Sequence, residues 1–229
     1  MHNNLEDAVQ RIKEFENNSL TDRLSDLEYK FSGLAREDIQ KLCDIQSLNP
    51  NLLRAAYEIK SLAGQINVVI HAVGILTSLP KILSDTEKVE YLSLGAGNTG
   101  RAFDLETDKR IAEFKFINWR GGPESIRQNT LFKDYFELAE ASTVKDRYLY
   151  VLGLKYPLKF FRGRRSLKSV MSKNAALAAS FQNKYEGRFS VVQEYFAATK
   201  DKVHIVDLIP MVPALAGIPG TDSICNDIT

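Results

Sequence analysis

The chain has 229 residues, 44% hydrophobic, 26% charged and 10% aromatic, and its 30 Lys and Arg almost balance 29 Asp and Glu for a net charge of +1. That length carries one sizeable core, or a catalytic-size domain with a small appendage, and the composition excludes a disordered or low-complexity chain. Cys43 and Cys225 lie far apart without metal-type spacing, and the polar, acidic start (Asn3, Asn4, Glu6, Asp7) lacks the basic lead-in of a signal peptide, so the expectation is a cytoplasmic protein with no membrane partner.

Residues 1–50 read as short acidic helices without a strand signal, closed by the Asn49-Pro50 break. This segment is expected to be an appendage, with homodimerisation through these helices as one role. A long helix is predicted from about Leu52 to Leu83, with Gly64, Gly74 and Pro80 as points of kinking or division. Its apolar run, Ile66 to Leu79, contains Asn67 and His71, is too short to span a bilayer, and predicts a buried core helix. His71, on its apolar face, reads as a core histidine in preference to a ligand.

Three strands are predicted next: Val89–Leu94, Arg101–Glu106 and Arg110–Asn118, the last two joined by the turn Thr107-Asp108-Lys109. The glycine-rich run Gly95 to Gly100 precedes the second, and Gly121-Gly122-Pro123 ends the third. A helix over Ser125–Ala141 and a strand over Arg147–Leu154 follow. Beyond a basic stretch come a helix over Ser166–Tyr185, another near Val191–Ala198, and a short strand Val203–Leu208. Helix, three strands, helix, strand predicts an α/β arrangement with a mixed sheet flanked by helices. Residues 51–229 are expected to form one domain.

Charge is unevenly placed. Lys145, Arg147, Lys155, Lys159, Arg162, Arg164, Arg165, Lys168 and Lys173 face a single nearby acid, Asp146. A polyanion partner requires such a patch, and a solvated loop would also carry it. Between Lys155 and Lys168 the cations alternate with Tyr156, Phe160 and Phe161, a pattern that serves phosphates and unstacked bases; the stretch 155–173 is read as a basic flap. The alternative for Phe160 and Phe161 is anchoring in the core.

The hairpin carries the most specific chemistry. Side chains alternate along a strand, so Asp104 and Glu106 share one face, and Glu113 and Lys115 share one while Ala112, Phe114 and Phe116 pack inward. The short turn brings Asp104, Glu113 and Lys115 together, with Glu106 at the margin. Two carboxylates, water and a backbone carbonyl suit Mg²⁺ or Mn²⁺, and a neighbouring lysine can orient or deprotonate an attacking water; partial burial near a cation would lower its pKa. The competing reading is a surface hairpin with cross-strand ion pairs.

The sequence from about Leu52 to Leu154 resembles the PD-(D/E)XK nuclease core, carried by Asp104 and by Glu113-Phe114-Lys115 on consecutive strands between two helices. Phe103 stands where the motif's proline would be. The resemblance implies a restriction-endonuclease-like αβββαβ fold, with Asp104, Glu113 and the Phe114 carbonyl holding the metal and Lys115 serving the nucleophilic water. It further points to Glu58 on the long helix as an accessory acid and to Gln128 as the helix glutamine of exonuclease-like branches. An ordinary exposed polar group is the alternative for Gln128. Arg120, beside Trp119, is a candidate phosphate contact, and Trp119 itself reads chiefly as a core aromatic.

These features lead to an expected Mg²⁺-dependent endonuclease, with Arg120, Lys155, Lys159, Arg162, Arg164, Arg165 and Lys168 as nucleic-acid contacts. No helix-turn-helix or zinc module is visible, so RNA, such as a tRNA loop, is favoured over DNA. A resemblance to bacterial defence-associated, toxin-like RNA-cutting branches points the same way. Alternatives are a DNA endonuclease of restriction or repair type, and a non-catalytic nucleic-acid-binding subunit.

Overall fold

The computed structural model describes residues 3–95, 102–116, 119 and 124–216, in which nine α-helices accompany a five-stranded mixed sheet. The chain divides into two compact units, Met1–Asn67 and Val68–Thr229, so the division falls inside a helix instead of at residue 50.

In the first unit, α1 (Asn3–Glu16), α2 (Leu20–Phe31) and α3 (Arg36–Ile45) precede the start of α4 (Pro50–Ile82). The Asn49-Pro50 break is the head of that helix: Asn49 Oδ1 accepts the Asn51 and Leu52 N–H groups at 3.0 and 3.1 Å, and Pro50 needs no donor there. The unit's core is thin. Ala8, Leu27 and Ala55 are buried, while Leu20, Leu24, Tyr29, Ile45, Leu53 and Tyr57 are exposed.

Gly64, Gly74 and Pro80 do not divide α4, which runs unbroken. Nor is it a buried core helix. Ile75 and Ser78 are fully buried, but Ile66, Val69, Val73 and Leu76 are about half exposed. By length and composition the helix as a whole is also long and apolar enough to cross a membrane, although the run Ile66–Leu79 is not. Gly74 is where α4 meets the sheet: a Cβ there would stand 2.5 Å from the Phe116 ring.

The second unit is built on strands β1 (Val89–Leu92), β2 (Leu105–Thr107), β3 (Arg110–Lys115), β4 (Asp146–Val151) and β5 (His204–Asp207), adjacent in that order. The first three pair antiparallel; β3, β4 and β5 pair parallel. Helix α5 (Ser125–Glu140) is the crossover from β3 to β4. Alternation splits the sheet cleanly between two cores. Ile111, Leu149 and Val151 pack with Leu131, Phe132 and Tyr135 of α5, whereas Leu105, Ala112, Phe114 and Tyr150 pack with Ile75 of α4.

Three segments depart from the expected elements. The strand expected over Arg101–Glu106 is confined to Leu105–Thr107, and Asp104 stands just ahead of it. The helix expected over Ser166–Tyr185 is two, α7 (Leu167–Met171) and α8 (Ala175–Tyr185), headed by the caps Ser166 and Asn174. The basic flap is not a loose loop: Lys155–Phe161 is helix α6, pinned by buried Pro157, Phe160 and Phe161. Helix α9 (Val192–Thr199) then leads to β5.

The base of the hairpin is locked by Glu87. Arg110 donates to both its oxygens at 2.6 Å, the Thr107 hydroxyl donates at 2.7 Å and the Ser84 N–H at 3.1 Å. Burial by itself would raise the Glu87 pKa, but the Arg110 and Thr107 hydrogen bonds prevail and hold it at about 2. A depressed carboxylate contributes stability that is complete above its unfolded pKa near 4.5 and lost as pH falls through 2. At 1.36 kcal/mol per pKa unit this is roughly 3 kcal/mol. Glu87→Gln is expected to lose about that much at pH 7 and to flatten the acid limb of a urea-unfolding series below pH 4.5. Parallel acid limbs in the two proteins would refute the assignment.

Candidate active site

Strand β3 presents Glu113 and Lys115 on the sheet face beneath α5, and Asp104 meets them from the segment entering β2. The Asp104 backbone is fixed first, its carbonyl accepting the Ser93 N–H at 2.7 Å. Its side-chain Oδ2 then accepts the Phe114 N–H at 3.0 Å, and Oδ1 lies 3.4 Å from His71 Nε2 of α4. Lys115 Nζ stands between Glu113 Oε2 at 3.1 Å and Asp134 Oδ2 of α5 at 2.8 Å. Glu113 and Asp134 are buried, and His71, Asp104 and Lys115 are half-buried.

Electrostatics separate the carboxyls. Burial raises Glu113, and the nearby Asp104 and Asp134 charges add to it, so that even beside Lys115 it is pushed up to about 8. Burial pushes Asp104 up as well, but the hydrogen bonds from His71 and Phe114 overcome this and hold it below the usual range. Burial opposes the Lys115 charge, yet Asp134 and Glu113 outweigh it, and the pKa moves up from its ordinary value. The expected fall in the lysine pKa is therefore reversed, because three carboxylates surround it. Lys115 is an ammonium donor here and not a base.

The donor set suits a hard divalent cation. Within a strand, a residue's N–H and C=O point to the same neighbour. The Lys115 carbonyl accepts from Leu152 on the β4 side at 3.0 Å, whereas the Phe114 N–H points the other way, to Asp104. The Phe114 carbonyl is thus directed past the end of the β2 pairing, beside Asp104 and Glu113. Among the described residues no three His, Cys, Asp or Glu side chains converge on one ion. Two carboxylates, one carbonyl and water remain, a set suited to Mg²⁺, which keeps several waters.

Of the other sequence candidates, Glu58 lies in the first unit, paired with Arg54 at 2.9 Å. Gln128 accepts a hydrogen bond from Arg165, whose other nitrogen donates to Asn129 at 2.9 Å. Arg165 is therefore tied to α5 and half-buried. Glu106, expected at the margin, pairs with Lys145 at 3.0 Å. Lys155, Lys159, Arg162, Arg164 and Lys168 are exposed, while Phe160 and Phe161 are core residues and offer no stacking face. Trp119 is 7% exposed and belongs to the core. Arg120, the glycine-rich run from Ala96 onward, Gly121-Gly122-Pro123 and Cys225 lie outside the described residues.

His71 and Asp134 were not among the sequence candidates. The signal for Asp134 was its position three residues after Leu131 and four before Leu138, an acid on the apolar face of its helix. His71 had no comparable signal, since its partner lies 33 positions along the chain.

Pro157 of α6 and Lys115 line one small cleft with Trp119 and Arg127, so the basic helix adjoins the site. On the opposite flank a cleft of about 660 Å³ is lined by Phe103, Ile111, Phe136 and Glu137. No family model, curated protein or solved structure matches the chain.

Proposed function

We propose that the chain is a metal-dependent phosphodiesterase of the PD-(D/E)XK type, cleaving nucleic acid and preferring RNA. The observation that carries this reading is the convergence of Asp104, Glu113 and Lys115 towards the C-terminal end of β3, with Asp104 bonded to the Phe114 N–H. The element order α4, β1, β2, β3, α5, β4 is also the αβββαβ order of that superfamily. Asp104, Glu113 and the Phe114 carbonyl would hold Mg²⁺ or Mn²⁺. The bound cation supplies Lewis acidity towards the phosphate and acidifies a coordinated water. Asp104, kept anionic by His71 and the Phe114 N–H, would be the fixed ligand. The Lys115 ammonium donates to the attacking water or to a phosphate oxygen and offsets the negative charge that develops there. Exposed Lys155, Lys159, Arg162, Arg164 and Lys168, on and after the helix beside Lys115, engage the substrate backbone.

The test is incubation with labelled tRNA, total RNA and DNA in Mg²⁺. Cleavage is expected, strongest on RNA and abolished by EDTA. Neutralising Arg162, Arg164 and Lys168 together should weaken binding at every sequence and lower the salt slope by about three. Cleavage that persists in EDTA, or intact substrates throughout, would sink the proposal; preferential DNA cutting would reassign its substrate.

A further inference from the structure

We infer that Asp134 is a positioning residue of this site, holding the Lys115 ammonium so that Glu113 is left available to a cation. The inference rests on the metal-dependent reading above. Asp134 is 4% exposed and its Oδ2 lies 2.8 Å from Lys115 Nζ, nearer than the Glu113 oxygen at 3.1 Å. It is delivered by α5, whose neighbouring Tyr135 and Leu138 are fully buried and fix the helix beneath it.

A buried ammonium must keep a counter-charge. Without Asp134, the nearest partner of Lys115 is Glu113, two residues away on the same face of β3. A cation seeking Glu113 would then compete with an internal ammonium for the same oxygens. With Asp134 in place, the lysine charge is already balanced from the helix side. Glu113 can turn to a cation without stranding Lys115, whose charge keeps Asp134 as its partner. Asp134 does this through Lys115, whose ammonium lies 2.8 Å from its Oδ2. Partners beyond the ligands commonly govern metal affinity in this way.

The experiment is a calorimetric titration of Mg²⁺ and Mn²⁺ into the substrate-free, full-length protein and into Asp134→Asn, Lys115→Met and the double variant. Asp134→Asn is expected to weaken cation binding about tenfold. In the Lys115→Met background the same change should alter affinity by less than about twofold, because its effect passes through the lysine. Asp134→Glu, which keeps a carboxylate opposite Lys115, should stay within about threefold of the unsubstituted protein and serves where the Asn variant does not fold. Equal losses with and without Lys115, or a Glu variant that binds as weakly as the Asn variant, would overturn the positioning role alone. An unsubstituted protein that binds neither cation would overturn the metal-dependent function and this role with it.

Discussion

Lys115→Met is expected to lower the turnover of a saturating RNA substrate by about 10²–10³-fold while KM stays within a few-fold. On the proposed mechanism the lysine acts on charge that exists only in the transition state, so its loss would appear in kcat. Methionine keeps the length of the side chain and removes the donors. Asp104→Asn should be at least as damaging. It keeps an oxygen able to accept the Phe114 N–H, now 3.0 Å away, and so preserves the fold, but removes the anion that the site holds below its usual pKa. Its defect should include weaker cation binding as well as a lower kcat, and excess Mn²⁺ should recover part of it. Full activity in Asp104→Asn at ordinary Mg²⁺ would end the mechanism. A Lys115→Met protein impaired only in KM would move the lysine from catalysis to substrate binding.

The second large effect concerns stability. Glu113 is raised to about 8 in the folded chain, against 4.5 unfolded. Below pH 4.5 both states carry the proton and there is no contribution. Between 4.5 and 8 the unfolded chain releases its proton while the folded one keeps it, so stability falls as pH rises, and the loss is complete above 8. A shift of this size corresponds to at most about 5 kcal/mol. Glu113→Gln should remove this slope and be the more stable protein at pH 8. Mg²⁺ should reverse the order there, since a cation that binds the ionised carboxylate stabilises the unsubstituted protein and not the Gln variant. Thermal unfolding at pH 5, 7 and 8.5, with and without Mg²⁺, measures all of this. Unfolding curves of the two proteins that run parallel from pH 5 to 8.5 would show that burial does not hold the Glu113 proton. The Glu87 contribution lies in a separate window, below pH 4.5, and runs in the opposite direction.

Much of the site was legible because it depends on local repeats. Alternation along β3 is enough to put Glu113 and Lys115 on one face and Phe114 on the other, and the short turn after Thr107 is enough to bring Asp104 alongside. The expected helix over Ser125–Ala141 and strand over Arg147–Leu154 stand within a residue or three of α5 and β4, since strong apolar periodicity marks them. The single helix expected over Ser166–Tyr185 is two, although the caps Ser166 and Asn174 are readable, because the composition of the segment favours a single run.

What escaped the sequence depends on contacts distant along the chain. The basic stretch reads as a flap by charge alone; it is a helix because Phe160 and Phe161 find a core made by α5 and α9. Helix α4 reads as buried from its apolar run, yet the sheet covers only the face bearing Ile75 and Ser78 and leaves Val69, Val73 and Leu76 exposed. By itself the sequence determined the hairpin chemistry: which residues share a face, and that two acids and a lysine meet. Only the tertiary structure decided the state of those groups. Asp134 reaches Lys115 from a helix 19 positions later, and His71 reaches Asp104 from one 33 positions earlier. Protonation in a buried site is set by desolvation and by every charge within a few ångströms, and no repeat in the sequence encodes such neighbours.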